Sequence, residues 1–128
     1  MGFTAGLRRE SLGVSPEYSF LASEHTEVKR AGVTLDASLV GPDSDGNMVL
    51  HAGTVLGKIT SSGKYGAYDN GAGDGRATAV GFLLESVNLK DGDVVAAMLV
   101  HGAVIVPRTS GLDVSGRGDL AGRFFFVE

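Results

Sequence analysis

Glycine is the residue that most restricts how this chain can fold, since 20 of the 128 residues are glycine and only three are proline. Glycine adopts the positive φ angles that tight turns need. Between the glycines lie short segments whose apolar residues are β-branched or alternate with polar ones, a pattern typical of strands. The predicted strands are SFLAS at 19–23, GVTLDASLV at 32–40, TVLGKIT at 54–60, ATAVGFLLESVNL at 77–89 and VVAAMLVHGAVIV at 94–106.

This pattern predicts a mainly β fold in a single domain. A chain of 128 residues can bury one compact core but not two, and no linker interrupts residues 17–128. Residues 94–106 contain Gly102 and are expected to form a hairpin or a bent strand. The one predicted helix is short, lies near residues 112–121, and is weakened by Gly116 and Gly118, each by about 1 kcal/mol relative to alanine.

Residues 1–16 differ from the rest of the chain. They are polar, contain glycine, lack periodicity and end at Pro16. Such a segment has too few apolar residues to order itself. We therefore predict a flexible N-terminal arm, residues 1–16, followed by a β-rich domain, residues 17–128.

Charge and composition argue against several classes of function. The net charge is −4, and the only adjacent basic pairs are Arg8 with Arg9 and Lys29 with Arg30, so no basic stripe is available to follow a nucleic acid. The absence of cysteine excludes disulfides, thiolate catalysis and zinc sites built on sulfur. Neither a signal peptide nor a run of membrane-spanning length is recognisable. We expect synthesis in the cytoplasm and neither nucleic acid nor membrane as a partner.

No motif predicts catalysis, a metal or a cofactor. Residues 43–47 resemble the start of a calcium loop, but the glycine comes two positions early and no bidentate glutamate follows, which favours a β-turn. Residues 61–64 and 71–75 lack the pattern of a phosphate-binding loop and are expected to be hairpin turns. The histidines are far apart in the sequence, without a second ligand at metal spacing; they are His25, His51 and His101.

Arg117, Gly118 and Asp119 spell the adhesion tripeptide. A short motif without its structural context is weak support for receptor binding. Chance is the better interpretation in a chain rich in glycine and acidic residues.

Residues 52–89 carry a specific combination of segments, AGTVLGKITSSGKYGAYDNGAGDGRATAVGFLLESVNL. The strand and turn VLGKITSSGKY are followed by a tyrosine and an acidic residue, and then by the strand DGRATAVGFL. This combination resembles the lambda-type head decoration proteins of tailed phages, with Phe82 where isoleucine is usual. The similarity extends over roughly residues 17–128, although Gly116 and Gly118 depart from the family's closing helix.

The resemblance implies a β-clip fold, in which a bent β-ribbon closes into a barrel-like body. It also implies a structural, non-enzymatic protein on the outer surface of the virion. Such proteins bind the expanded head as homotrimers at threefold and quasi-threefold sites and stabilise it against the pressure of packaged DNA. The implied partner is the major capsid protein, which the arm would bind by strand addition.

The resemblance also assigns candidate binding residues. Phe3 and Leu7 would be the apolar anchors of the arm, and Tyr18 and Phe20 mark where the arm enters the domain. Phe124, Phe125 and Phe126 are candidates for the trimer interface or for the core. Because successive side chains of a strand point to opposite faces, at least one of the three should meet a neighbour or the surface.

Two other classes of function compete with this one. A β-rich module that binds glycans or a host surface would need grouped exposed aromatics, but the chain has no tryptophan and only three tyrosines. A small hydrolase would need a catalytic constellation that the sequence lacks. Neither alternative explains residues 52–89.

Overall fold

The structure is a computed structural model that describes residues 18–128. The predicted arm, with Phe3 and Leu7, lies outside the described residues. The described chain is mainly β with one short α-helix, which confirms the predicted fold class. The strands are β1 (Glu27–Leu35), β2 (Val49–Leu50), β3 (Val55–Lys58), β4 (Tyr65–Ala67), β5 (Ala79–Leu83), β6 (Val87–Asn88), β7 (Val94–Ile105) and β8 (Phe124–Val127). The helix is α1 (Val114–Leu120), and short 3-10 turns occupy Ala37–Leu39 and Val106–Arg108.

Six of these strands form one sheet in the order β1-β4-β3-β5-β7-β8. Since β1 also pairs with β7, the pairings of β1, β4, β3, β5 and β7 close into a ring, and β8 lies outside it. The closing pair is antiparallel and long, from Glu27 opposite His101 to Leu35 opposite Val94. β2 and β6 form a separate small sheet. The ring therefore depends on contacts between the first and the last long strand.

Two hydrophobic cores lie on opposite faces of β3, β5 and β7. The ring core draws residues from all five ring strands and consists of Val33, Leu35, Leu56, Tyr65, Leu83, Leu89, Ala96 and Met98. The outer core lies on the other face of these three strands and consists of Phe20, Val55, Tyr68, Ala79, Phe82, Leu99, Val104, Leu120 and Phe124. Adjacent residues of β5 divide between the two cores, because Phe82 pairs with Leu99 and Leu83 with Met98. Burial on both faces explains the continuous apolar run AVGFL in this strand.

The predicted strand at 19–23 is wrong. These residues form a turn, in which the Leu21 N–H donates to the Tyr18 carbonyl at 3.0 Å, and a single bridge joins Leu21 to Val104. The reason is tertiary: Phe20 is 1% exposed and belongs to the outer core, so the backbone turns to insert its ring.

Two other predicted strands have different bounds from those expected. The strand predicted at 32–40 is β1, which begins earlier, at Glu27, and ends at Leu35, where the Asp36 side chain accepts from the Ser38 N–H and begins a 3-10 turn. The strand predicted at 77–89 is divided into β5 and β6, because β6 pairs with β2 in the separate sheet. Local capping thus sets the end of the first strand, and pairing with a strand distant in sequence divides the second.

Residues 94–106 form one strand, β7, so the alternative of a hairpin is wrong. The strand stays continuous because it has partners along its whole length: β1, β5 and β8. The expected hairpin at 71–75 is also wrong, since this turn joins β4 to β5 and both of these strands pair with β3 rather than with each other. Gly75 in this turn has φ +114°, and a Cβ there would collide with the Lys58 carbonyl and Thr60.

Three predictions for shorter segments are confirmed. Residues 61–64 form the hairpin turn between β3 and β4, and residues 43–47 form a turn closed by hydrogen bonds to Asp43. The short C-terminal helix exists as α1, with Asp113 as its N-cap. A Cβ at Gly116 would lie 3.3 Å from the ring of Tyr68, so the helix packs closely where its sequence is weakest.

Candidate interaction surface

The C-terminal half of β7 brings both ends of the described chain together. On one side, β8 runs parallel to it, with Gly102 opposite Phe124 and Ile105 opposite Val127. On the other side lies the lead-in segment, residues 18–22, whose Phe20 carbonyl accepts from the Ile105 N–H at 2.7 Å. The lead-in segment and the end of β8 therefore lie at the same end of the sheet.

The lead-in segment is held by one buried side chain. Phe20 lies in the outer core with its ring centroid 6.1 Å from that of Phe82. The Arg108 guanidinium donates to the Ser19 carbonyl at 3.0 Å, and the half-buried Tyr18 hydroxyl donates to Glu85 at 3.4 Å. Phe20 thus fixes the point at which the chain enters the domain, while Tyr18 is partly accessible.

The three consecutive phenylalanines of β8 have three different surroundings. Phe124 is 6% exposed, and its ring meets Phe82 edge to face at 5.0 Å between centroids. Phe125 points the other way and is 74% exposed. Phe126 is half-buried with the Arg117 guanidinium 5.7 Å from its ring centroid. The expectation that at least one of these side chains would reach the surface is confirmed by Phe125.

An apolar strip follows the outward face of β8 and the adjoining part of β7. Phe125 and Val127 share this face, and their register partners Ala103 and Ile105 are half-buried on the same side. We call these four residues the β8 strip. Among the described strands, β8 pairs only with β7, and its one further bridge joins Phe124 to Ala121. An exposed apolar edge of this kind is typical of a protein–protein contact surface.

Helix α1 is tied to the outer core by two aspartates. Asp113 accepts from the Gly116 N–H at 2.7 Å and from the Tyr68 hydroxyl at 2.8 Å, and these bonds, the first more strongly, hold the pKa of its carboxyl below the ordinary value. Burial, and then the bond to Asp113, raises the pKa of Tyr68 to about 12. Asp119 accepts from the Ala79 N–H of β5 at 2.9 Å. Tertiary bonds thus stabilise a helix that its glycines weaken.

The adhesion tripeptide lies within α1. Arg117 forms an ion pair with Glu128 at 2.8 Å, which lowers the pKa of Glu128, and Asp119 is bonded to β5. Both charged side chains of the tripeptide therefore have contacts within the domain.

Two histidines that are distant in the sequence come together beside the lead-in segment. A shallow open groove is lined by Glu24, His25, Thr26, Glu27 and His101. Pairing of Glu27 with His101 creates this proximity, which no sequence spacing indicates. Within residues 18–128, no group of three His, Cys, Asp or Glu side chains has a geometry that could hold a metal ion.

The family model of bacteriophage lambda head decoration protein D matches residues 15–108, more than half of the chain. The matched segment contains β1 to β7 and every residue of the ring core. It ends before α1 and β8, so Leu120 and Phe124 of the outer core lie beyond it. No curated protein matches the chain. In the described part of the chain, no helix has the length and apolar character needed to cross a membrane.

Proposed function

Since the chain belongs to the family of bacteriophage lambda head decoration protein D, and so has a role in capsid decoration, we propose that it binds the expanded head as a trimer. The proposed positions are the threefold and quasi-threefold sites on the outer surface, with the major capsid protein as partner. A trimer that contacts several capsomers there makes their separation more costly and so stabilises the head against the pressure of packaged DNA.

The family match and the fixed lead-in segment support binding through the N-terminal arm. Phe20 is anchored in the outer core and its carbonyl accepts from the Ile105 N–H, so the described chain begins at a defined point of the domain. We propose that residues 1–16 add a strand to the capsid protein, with Phe3 and Leu7 as apolar anchors. Strand addition draws its affinity from backbone hydrogen bonds, which suits an arm with few apolar side chains.

The β8 strip supports a trimer interface at the C-terminus. Phe124 is buried within its own domain, whereas Phe125 is 74% exposed, so we propose Phe125 as the central interface residue of the three. The half-buried Phe126 would lie at the margin of the contact. In a cyclic trimer each copy presents two different surfaces to its neighbours, so the strip would meet another part of the next copy.

Trivalency explains how weak single contacts can hold the protein on the head. Once one arm is bound, the other two meet their sites at an effective concentration far above that of free subunits. The glycan-binding alternative has less support, because Phe125 is the only described aromatic residue whose side chain is largely exposed.

The proposal is tested by cosedimentation with expanded and unexpanded heads. The full-length protein should bind expanded heads, and removal of residues 1–16 should abolish this binding while leaving the melting temperature of the domain nearly unchanged. Substitution of Phe3 and Leu7 by serine should weaken binding less. Wild-type saturation of expanded heads by the truncated protein would place the binding site in the domain and contradict our assignment of the arm.

The trimer has a separate test with a matched control. Phe125→Ser should shift the molecular mass from trimer towards monomer in light scattering, in solution or after release from heads. Val95→Ser also removes an exposed apolar side chain, 66% exposed on β7, and should leave the trimer intact. If the trimer persists in Phe125→Ser, its interface lies elsewhere on the domain. A wild-type protein that is monomeric both in solution and on the capsid would refute trimerisation.

A further inference from the structure

Two lysines from different strands approach one buried tyrosine of the ring core. The ammonium nitrogens of Lys29 on β1 and Lys58 on β3 lie 5.7 and 5.9 Å from the ring centroid of Tyr65 on β4. Tyr65 is only 7% exposed, whereas both lysines are exposed. Two like charges therefore share the surroundings of one aromatic ring.

Strand register shows why these side chains converge. Lys58 lies directly opposite Tyr65, and Lys29 lies opposite Met98. Both partners belong to the ring core, and cross-strand partners point to the same face of a sheet. The two lysines thus start on the inner face of the ring and extend past the core until their ammonium groups reach solvent. They mark one opening of the ring, which we call the lysine mouth (Lys29, Lys58 and Tyr65).

Apart from the contacts of the two ammonium groups with the Tyr65 ring, the side chains of the lysine mouth have no ion pair or hydrogen bond within the described residues. No described carboxylate lies within ion-pair distance of Lys29 or Lys58, and the Tyr65 hydroxyl makes no hydrogen bond to the described chain. Nearby cations differ: Lys64 pairs with Asp93 at 2.7 Å and Arg76 with Asp74 at 2.9 Å. Because the Tyr65 side chain is largely buried and its hydroxyl makes no hydrogen bond to a described residue, a bound group that accepts a hydrogen bond from it would be favoured.

We propose that the lysine mouth is an oxyanion-binding site that takes a carboxylate or a phosphate group. An anion at this position would offset the repulsion between the two ammonium groups and accept hydrogen bonds from them and from the Tyr65 hydroxyl. The protein as a whole is acidic, with a net charge of −4, so it repels anions in general. Binding at the lysine mouth therefore requires these particular side chains.

The test is an NMR titration of the full-length protein with sodium phosphate and with sodium acetate, at constant ionic strength set by chloride. The Tyr65 ring signals and the lysine ε-methylene signals of Lys29 and Lys58 should shift and saturate. The variant Lys29→Gln/Lys58→Gln should lose saturation, and Tyr65→Phe should weaken binding about tenfold, as expected for the loss of one hydrogen bond to a charged group. Lys90→Gln removes the charge of an exposed lysine outside the site and should leave affinity within about twofold, as expected for a distant surface charge.

The two anions distinguish the natural ligand. Tighter saturation by acetate assigns the site to a carboxylate, such as an acidic side chain of a protein, and tighter saturation by phosphate assigns it to a phosphate group. Shifts that grow without saturation for both anions would overturn the proposal. An equal loss of affinity in Lys90→Gln and in the double variant would also overturn it, because the effect would then be general electrostatics. The titration uses isolated protein and is independent of capsid binding.

Discussion

The ring core and the outer core share three strands but are built in different ways. The ring core draws on all five strands of the ring and lies wholly within the segment that matches the decoration family. The outer core is closed by residues near the two ends of the described chain: Phe20, Leu120 and Phe124. It therefore connects the lead-in segment and β8, which carry the proposed contacts, to the body. We therefore expect the ring to stay folded when the ends loosen.

We expect the largest loss of stability in the outer core from Phe82→Ala, because the Phe82 ring contacts both Phe20 and Phe124. We expect a loss of about 3–5 kcal/mol in the free energy of unfolding. Hydrogen exchange should show a greater loss of protection in β8 than in β1. Equal loss of protection in both strands would mean that the two cores unfold as one unit.

A pair of leucine substitutions separates the cores more directly. Leu56 in the ring core and Leu120 in the outer core are both fully buried. Each change to alanine should cost about 2–5 kcal/mol. Leu56→Ala should lower protection throughout the ring, whereas Leu120→Ala should mainly expose the amides of α1 and β8. Identical hydrogen-exchange patterns in the two variants would mean that the ring core and the outer core do not unfold separately.

Asp113→Asn should cause a smaller loss that depends on pH. Since folding lowers the pKa of Asp113, its ionised form stabilises the fold above the unfolded pKa, and this contribution disappears as the pH falls through the lower folded value. The difference in unfolding free energy between wild type and variant should therefore be greatest near neutral pH and should shrink below about pH 4. Denaturant titrations across this range provide the measurement.

Asp93→Asn is the matched control on the ring side. Asp93 also has a lowered pKa, caused first by its bond to Lys64 and then by the Ala37 N–H. Its replacement should show the same pH trend without loss of hydrogen-exchange protection in α1. If both variants loosen α1 equally, the bonds of Asp113 do not act specifically on the helix.

The smallest effect is expected at Phe125. Its side chain is largely exposed, so Phe125→Ala should change the unfolding free energy of the dilute monomer by no more than about 0.5 kcal/mol. Phe124→Ala, one residue away, should cost about 3–5 kcal/mol because its ring is buried against Phe82. Comparable losses of unfolding free energy at the two positions would contradict the alternation of buried and exposed side chains along β8.

Much of the local structure follows from the sequence alone. Alternating apolar residues predict most of the strands, glycine predicts the turns at 43–47 and 61–64, and two glycines predict that the helix is short. The period of two along a strand also predicts that Phe124, Phe125 and Phe126 cannot share one face. Residues 52–89, which carry the resemblance to the decoration family, lie inside the matched segment. These features depend on residues that are neighbours in the chain.

Only the tertiary structure decides which strands lie beside one another. A period of two tells which side chains share a face, but it does not name the partner strand. Closure of the ring by β1 and β7, the turn at 19–23 that inserts Phe20, and the approach of Lys29 and Lys58 to Tyr65 all depend on contacts between distant segments. Burial of apolar surface is non-directional, so the sequence determines that a residue such as Phe20 is buried, and the packed fold determines where.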